Sequence, residues 1–96
     1  MKLINISSEN DKKYKLRVIL LDNDHYKTIT FGAYGYDDFT TTNDKNKKKA
    51  YIARHKIREN WDKSGILTKG FWSRWILWNK PTIAQSVDDV KKRFSL

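Results

Sequence analysis

Hydrophobic and polar residues alternate along the first third of the chain. In the first part of the segment from Lys13 to Leu21, every second side chain is apolar. This alternation predicts a strand with one buried face. The stretch Tyr26 to Phe31 alternates again, and a turn rich in Asp and Asn separates the two at residues 22–25. Together they predict an antiparallel hairpin, and residues 3–6 predict a third, shorter strand.

A period of three to four residues replaces this alternation in the second half. The spacing predicts a helix over residues 45–61, a second over about 69–79, and a third that follows Pro81. The first helix is expected to face the core through a narrow apolar stripe made of Ala50, Ala53, Ile57 and Trp61. The third is expected to do so through Ile83, Val87, Val90 and Phe94.

Strands first and helices afterwards predict an α+β fold, in which a small antiparallel sheet (the N-terminal hairpin) packs against about three C-terminal helices. Ninety-six residues suffice for one domain, so residues 1–96 are expected to fold as a unit. Within it, residues 1–44 form a β-rich half and residues 45–96 a basic helical half.

The positive charge is concentrated in that helical half. The net charge is +9, yet residues 1–44 carry 6 basic and 7 acidic side chains, whereas residues 45–96 carry 14 and 4. Lysines also crowd the start of the first helix, where the helix dipole disfavours cations. Such an asymmetry favours an anionic partner, and the alternative is a basic helix face that is only solvated.

The first helix therefore predicts a nucleic-acid-binding surface that contacts the backbone, with DNA favoured over RNA. Lysines would act as point charges and arginines as two-pronged donors to phosphate, while Tyr51 would stack on bases. The candidate residues are Lys45, Lys47, Lys48, Lys49, Tyr51, Arg54, His55, Arg58 and Arg74.

The tryptophans support a second interpretation. Four Trp are many for a chain of this size, and most are expected in the core, where aromatic rings usually pack. Exposed rings at Phe71, Trp72 and Trp75 would instead dock a protein partner or a second copy of the chain. The protein would then be a virion structural or protein-interaction module.

An enzymatic role has less support. Asp24-His25, Asn46 and His55 distantly resemble the order of ligands in ββα metal nucleases, but the chain has 2 His, no Cys and few nearby acids. We therefore predict no catalytic residue, no metal and no cofactor. No apolar run reaches the ~18 residues of a membrane span, and the N-terminal stretch lacks the apolar region of a signal peptide, so an intracellular protein is expected.

Several blocks of sequence resemble a family of small, uncharacterised basic proteins encoded by large DNA viruses of algae and amoebae. The blocks occur in order at residues 31–40, 51–61, 73–81 and 92–94. Relatives usually carry a His near the position of Thr42, which this chain lacks. The resemblance implies a viral protein of the host-cell cytoplasm, virus factory, host nucleus or virion, and it implies no activity.

Overall fold

A three-stranded antiparallel sheet forms the N-terminal part of the molecule, as seen in a computed structural model that describes residues 1–96. The strands lie in chain order, β1-β2-β3. Their bounds are Lys2–Ser8 (β1), Tyr14–Asp22 (β2) and His25–Ala33 (β3). The helices are Phe39–Thr42 (α1), Lys45–His55 (α2), Lys69–Trp72 (α3, continuing into a π-turn at Ser73–Leu77) and Ile83–Phe94 (α4). The predicted α+β architecture is confirmed.

The hairpin forms as its alternation predicts. Leu16 pairs with Phe31 and Val18 with Ile29 across β2 and β3, and all four side chains are buried. The two residues of the connecting turn, Asn23-Asp24, both have positive φ, the combination that matches the twist of the flanking strands. The third strand is also confirmed, and it is longer than predicted.

The core lies between this sheet and the segment formed by α3 and the π-turn. Phe71, Trp72 and Ile76 are fully buried there, and α3 packs on β3. The predicted second helix is therefore present, but it widens at the π-turn, where the N–H of Trp78 bonds to the carbonyl of Ser73 at 3.1 Å. This one-residue insertion changes which side chains face the sheet.

Helix α4 closes the core on the π-turn. Val90 is fully buried, and Val87 and Phe94 are half-buried against the core, as the predicted stripe requires. Ile83 lies at the first turn and is exposed, so the stripe is one residue shorter than expected.

The predicted orientation of the first helix is wrong. Helix α2 ends at His55 instead of Trp61, Ala50 and Ala53 are exposed, and Ile57 lies outside the helix with 86% of its surface exposed. The helix faces the molecule through Tyr51 and its neighbours, because one aromatic ring buries far more area than two methyl groups. Ser64 and Gly65 follow in a separate 3-10 turn.

Candidate nucleic-acid interface

Two short polar segments fix the start of α2. The Asp44 carboxylate caps the helix by accepting from the backbone N–H groups of Asn46 (2.9 Å) and Lys47 (3.1 Å). Its negative charge also offsets part of the unfavourable effect of lysines near the positive end of the helix dipole. Asn43 ends α1 in the left-handed conformation and donates its side-chain N–H to the carbonyl of Pro81 at 3.1 Å.

The outer face of α2 is a strip of small side chains between two rows of cations. Asn46, Ala50 and Ala53 follow one another at i, i+4 and i+7, which places them on one face, and all three are exposed. The same helical geometry places exposed basic side chains on both sides of this strip, namely Lys45 and Lys49 on one side and Lys47 and Arg54 on the other. We call this surface the outer face of α2.

None of these four cations has an acidic partner. The molecule contains three ion pairs, Lys15–Asp38, His55–Glu59 and Arg93–Asp89. The eleven lysines and arginines between Lys45 and Lys80 form no ion pair. The one pair in this stretch, His55–Glu59, involves a histidine. Arg58, just beyond the helix, is also exposed and unpaired. Unpaired charges at this density favour an anion as partner.

Lys48, predicted to contact nucleic acid, is half-buried and does not belong to the outer face of α2. Its ammonium donates to the carbonyl of Asn79 at 2.6 Å and lies 4.8 Å from the centre of the Phe39 ring. Partial burial, followed by the charges of nearby cations, lowers the pKa of Lys48 below its ordinary value. The side chain therefore attaches α2 to the end of the π-turn segment and is not free to reach a phosphate.

Arg74 also has a structural position instead of the predicted binding one. Its guanidinium lies 4.4 Å from the ring centre of Trp75 and 5.4 Å from that of Trp61, and it donates to the carbonyl of Trp78 at 2.7 Å. Burial first, and then the charge of Arg93, lower the pKa of Arg74. With its planar group held between indole rings, Arg74 has little capacity to bind a polyanion.

Tyr51 is buried, so its predicted role as a base-stacking platform is wrong. Only 7% of its surface is exposed, and its ring is stacked on His55 (4.2 Å between centroids) and on Trp78 (4.4 Å). Two rings cannot share one face at these distances, so both faces of Tyr51 are covered. His55 is half-buried beside it, with Nδ1 3.1 Å from a carboxylate oxygen of Glu59.

The rings expected to dock a partner are also in the core. Phe71 and Trp72 are fully buried and Trp75 is 9% exposed, because the three rings pack against Phe31 and Phe94. Their burial removes the surface on which the protein-interaction interpretation depended.

The two histidines lie far apart. His25 is at the first residue of β3, and about 24 Å of extended strand separates it from Gly32, which lines the same cleft as His55. No group of three or more His, Asp or Glu side chains is arranged to hold a metal ion. The structure therefore does not bring together the residues that suggested a metal nuclease.

The fold and this surface define a small basic α+β domain with an unpaired cationic helix. The chain belongs to DUF5754, a family of unknown function, whose sequence profile matches residues 3–55. The matched region contains the sheet except for Lys2, together with α1 and α2, and therefore includes the outer face of α2. No curated protein and no solved structure matches the chain. None of its helices combines the length and the apolar character needed to cross a bilayer. The viral context stays a prediction.

Proposed function

We propose that this protein binds duplex nucleic acid, DNA in preference to RNA, through the outer face of α2. The observation that carries the proposal is the strip of small residues with unpaired cations on both sides. The major groove of B-form DNA, ~12 Å wide, admits an α-helix. Small outward side chains let the helix axis approach the base pairs, while the flanking cations reach the phosphates of the two strands.

Duplex RNA suits this surface less well. Its major groove is deep and narrow, so a helix cannot enter it in the same way. A single strand needs exposed rings for stacking beside the charge, and the outer face of α2 carries none, because Tyr51 is buried. The ranking expected is therefore duplex DNA first, then single-stranded DNA and duplex RNA.

The number of cations sets the salt dependence. The four flanking side chains and Arg58 would neutralise about five phosphates, so the logarithm of the affinity should fall with the logarithm of the salt concentration at a slope of about −4 to −5. Anisotropy titrations of a labelled DNA duplex at several salt concentrations measure this slope. Absence of micromolar binding even at low salt would contradict the proposal.

Two matched pairs of variants locate the contact. Lys45→Gln with Lys49→Gln removes two charges from the outer face, and should reduce the slope by about 2. Lys2→Gln with Lys12→Gln removes the same charge from exposed positions of the sheet half, and should leave the slope unchanged. An equal reduction by both pairs would mean that net charge alone, and not the helix, attracts the DNA.

A single substitution tests the strip itself. Ala50→Glu places a bulky anion in the centre of the strip, where it should abolish binding at moderate salt while preserving the helix, since Glu is a good helix former. Ala84→Glu makes the same change on the exposed surface of α4 and should bind DNA nearly as the natural chain does. Similar affinity of the two variants would exclude the strip as the contact.

A further inference from the structure

A cleft of about 530 Å³ opens beside α2, on the side of the helix that carries Lys47 and Arg54. Its walls are the segment Gly32–Asp38, the inward edge of α2 and the first turns of α3 with the π-turn. Gly32 allows the walls to approach, because it has φ +77° and a Cβ there would lie 2.5 Å from Leu77. A volume of this size is within the range that holds a nucleotide-sized ligand.

A hydroxyl without a protein partner belongs to a residue of this cleft. The Tyr51 side chain is more than nine-tenths buried, yet its hydroxyl makes no hydrogen bond within the protein and keeps surface that a ligand can reach. Since both faces of the ring are covered by His55 and Trp78, Tyr51 lines the cleft through its ring edge. Burial first, and then the charge of Glu59, raise the pKa of Tyr51, so this hydroxyl keeps its proton and remains a donor. A donor that the protein leaves free, on a ring held in place by stacking, can bind a ligand that accepts from it.

Further donors stand beside this hydroxyl. Lys47 and Arg54 line the cleft from α2, and both are exposed without an acidic partner. His55 also lines it, and because Glu59 holds Nδ1, the other ring nitrogen is free for a ligand. When the ring carries both protons, that nitrogen is an additional donor.

The acidic side chains of the cleft are mostly engaged within the protein. Asp38 accepts from the ammonium of Lys15 at 2.6 Å, and Glu59 accepts from the indole N–H of Trp61 at 3.0 Å. Asp37 alone is exposed at the rim without a partner. The free groups of the cleft are therefore chiefly donors and cations, a set that suits an oxyanion better than a metal or a neutral ligand.

We propose that this cleft binds a phosphate monoester, with the Tyr51 hydroxyl, Lys47 and Arg54 contacting the phosphate oxygens. A terminal phosphate offers three acceptor oxygens and up to two negative charges, and it can enter a concave site. A phosphodiester inside a duplex cannot enter, because the chain continues on both sides. The ligand is a free nucleoside monophosphate or the phosphorylated end of a strand, which present the same group. The site does not depend on duplex binding by the strip.

Calorimetry with the full chain tests the site. Adenosine monophosphate and a 5′-phosphorylated trinucleotide should both bind, whereas adenosine and the trinucleotide with a 5′-hydroxyl should bind at least about tenfold more weakly. Tighter binding of the phosphorylated trinucleotide identifies a strand end as the ligand, and equal or tighter binding of the monophosphate identifies the nucleotide. Binding that does not distinguish phosphorylated from unphosphorylated ligands, or no binding at all, would overturn the proposal.

Variants separate this site from the outer face of α2. Tyr51→Phe keeps the ring stack and removes only the hydroxyl, so it should weaken phosphate binding about tenfold or more without changing the affinity for a duplex with unphosphorylated ends. Tyr34→Phe removes a hydroxyl from an exposed tyrosine outside the cleft and should have no effect. Lys45→Gln with Lys49→Gln should weaken duplex binding and leave phosphate binding intact. Unchanged phosphate binding in folded Tyr51→Phe would refute the cleft while leaving the duplex interface untouched.

Discussion

Replacing Asp38 with alanine should lower the free energy of unfolding by about 3 kcal/mol. Asp38 is 2% exposed, accepts from Lys15 Nζ at 2.6 Å and from the backbone N–H of Thr40 at 2.8 Å, and caps α1. Loss of a helix cap costs about 1 kcal/mol. Leaving the Lys15 ammonium without its partner costs about 2 kcal/mol, below the range for fully buried pairs, because this side chain is 20% exposed and can reach water.

A second variant separates these two contributions. Asp38→Asn keeps the shape and can still accept from Thr40, so it should lose chiefly the ion pair with Lys15, about 2 kcal/mol. Adding Lys15→Met to it should restore part of the loss, because no unpaired ammonium then remains. Urea unfolding followed by tryptophan fluorescence measures all four proteins. A loss of less than about 0.5 kcal/mol for Asp38→Ala would refute the assigned role of this carboxylate.

Two further outcomes follow from buried positions. The pKa of Tyr51 is raised in the folded protein, so above about pH 10 this tyrosine ionises more readily in the unfolded chain, and the free energy of unfolding should fall. Tyr51→Phe cannot ionise and should lose less stability over the same pH range, as measured by urea midpoints. An identical alkaline loss in both proteins would contradict a raised pKa for Tyr51. Gly65→Ala should destabilise by about 2 kcal/mol in the same assay, because its Cβ would collide with the backbone carbonyl of Asn60. Replacing a glycine that has open space around it usually stabilises a protein. A gain in stability for Gly65→Ala would therefore show that the turn can rearrange to accept the methyl group.

The sheet was predictable from the sequence because its determinants are local. Alternation of apolar residues decides which face of β2 and β3 is buried, and the Asn23-Asp24 turn decides where the chain reverses. The third strand is less certain from sequence, since a bulge between Leu3 and Asn5 interrupts its period.

The orientation of α2 was not predictable in this way. Periodicity selected Ala50 and Ala53 because they are apolar, whereas the buried side of the helix contains Lys48 and His55, which sequence scales count as polar. These side chains are half-buried and held by tertiary partners, a backbone carbonyl for Lys48 and the carboxylate of Glu59 for His55. Such partners lie far along the chain or beyond the end of the helix, so no pattern within α2 identifies them. The cleft was missed for the same reason.

The exposed cations of α2 differ physically from the half-buried Lys48 and Arg74, and this difference supports the proposal that the exposed ones bind a ligand. Lys48 and Arg74 donate to backbone carbonyl groups and lie against aromatic rings, although Nε of Arg74 is buried without a hydrogen-bond partner. Nothing within the protein accounts for Lys45, Lys49 or Arg54, which repel one another and gain no internal partner. Mutual repulsion of unpaired cations destabilises a folded chain, and a bound polyanion turns this unfavourable electrostatic contribution into a favourable one. We therefore expect the free energy of unfolding to rise when short duplex DNA is added, and to rise more at low salt than at high salt.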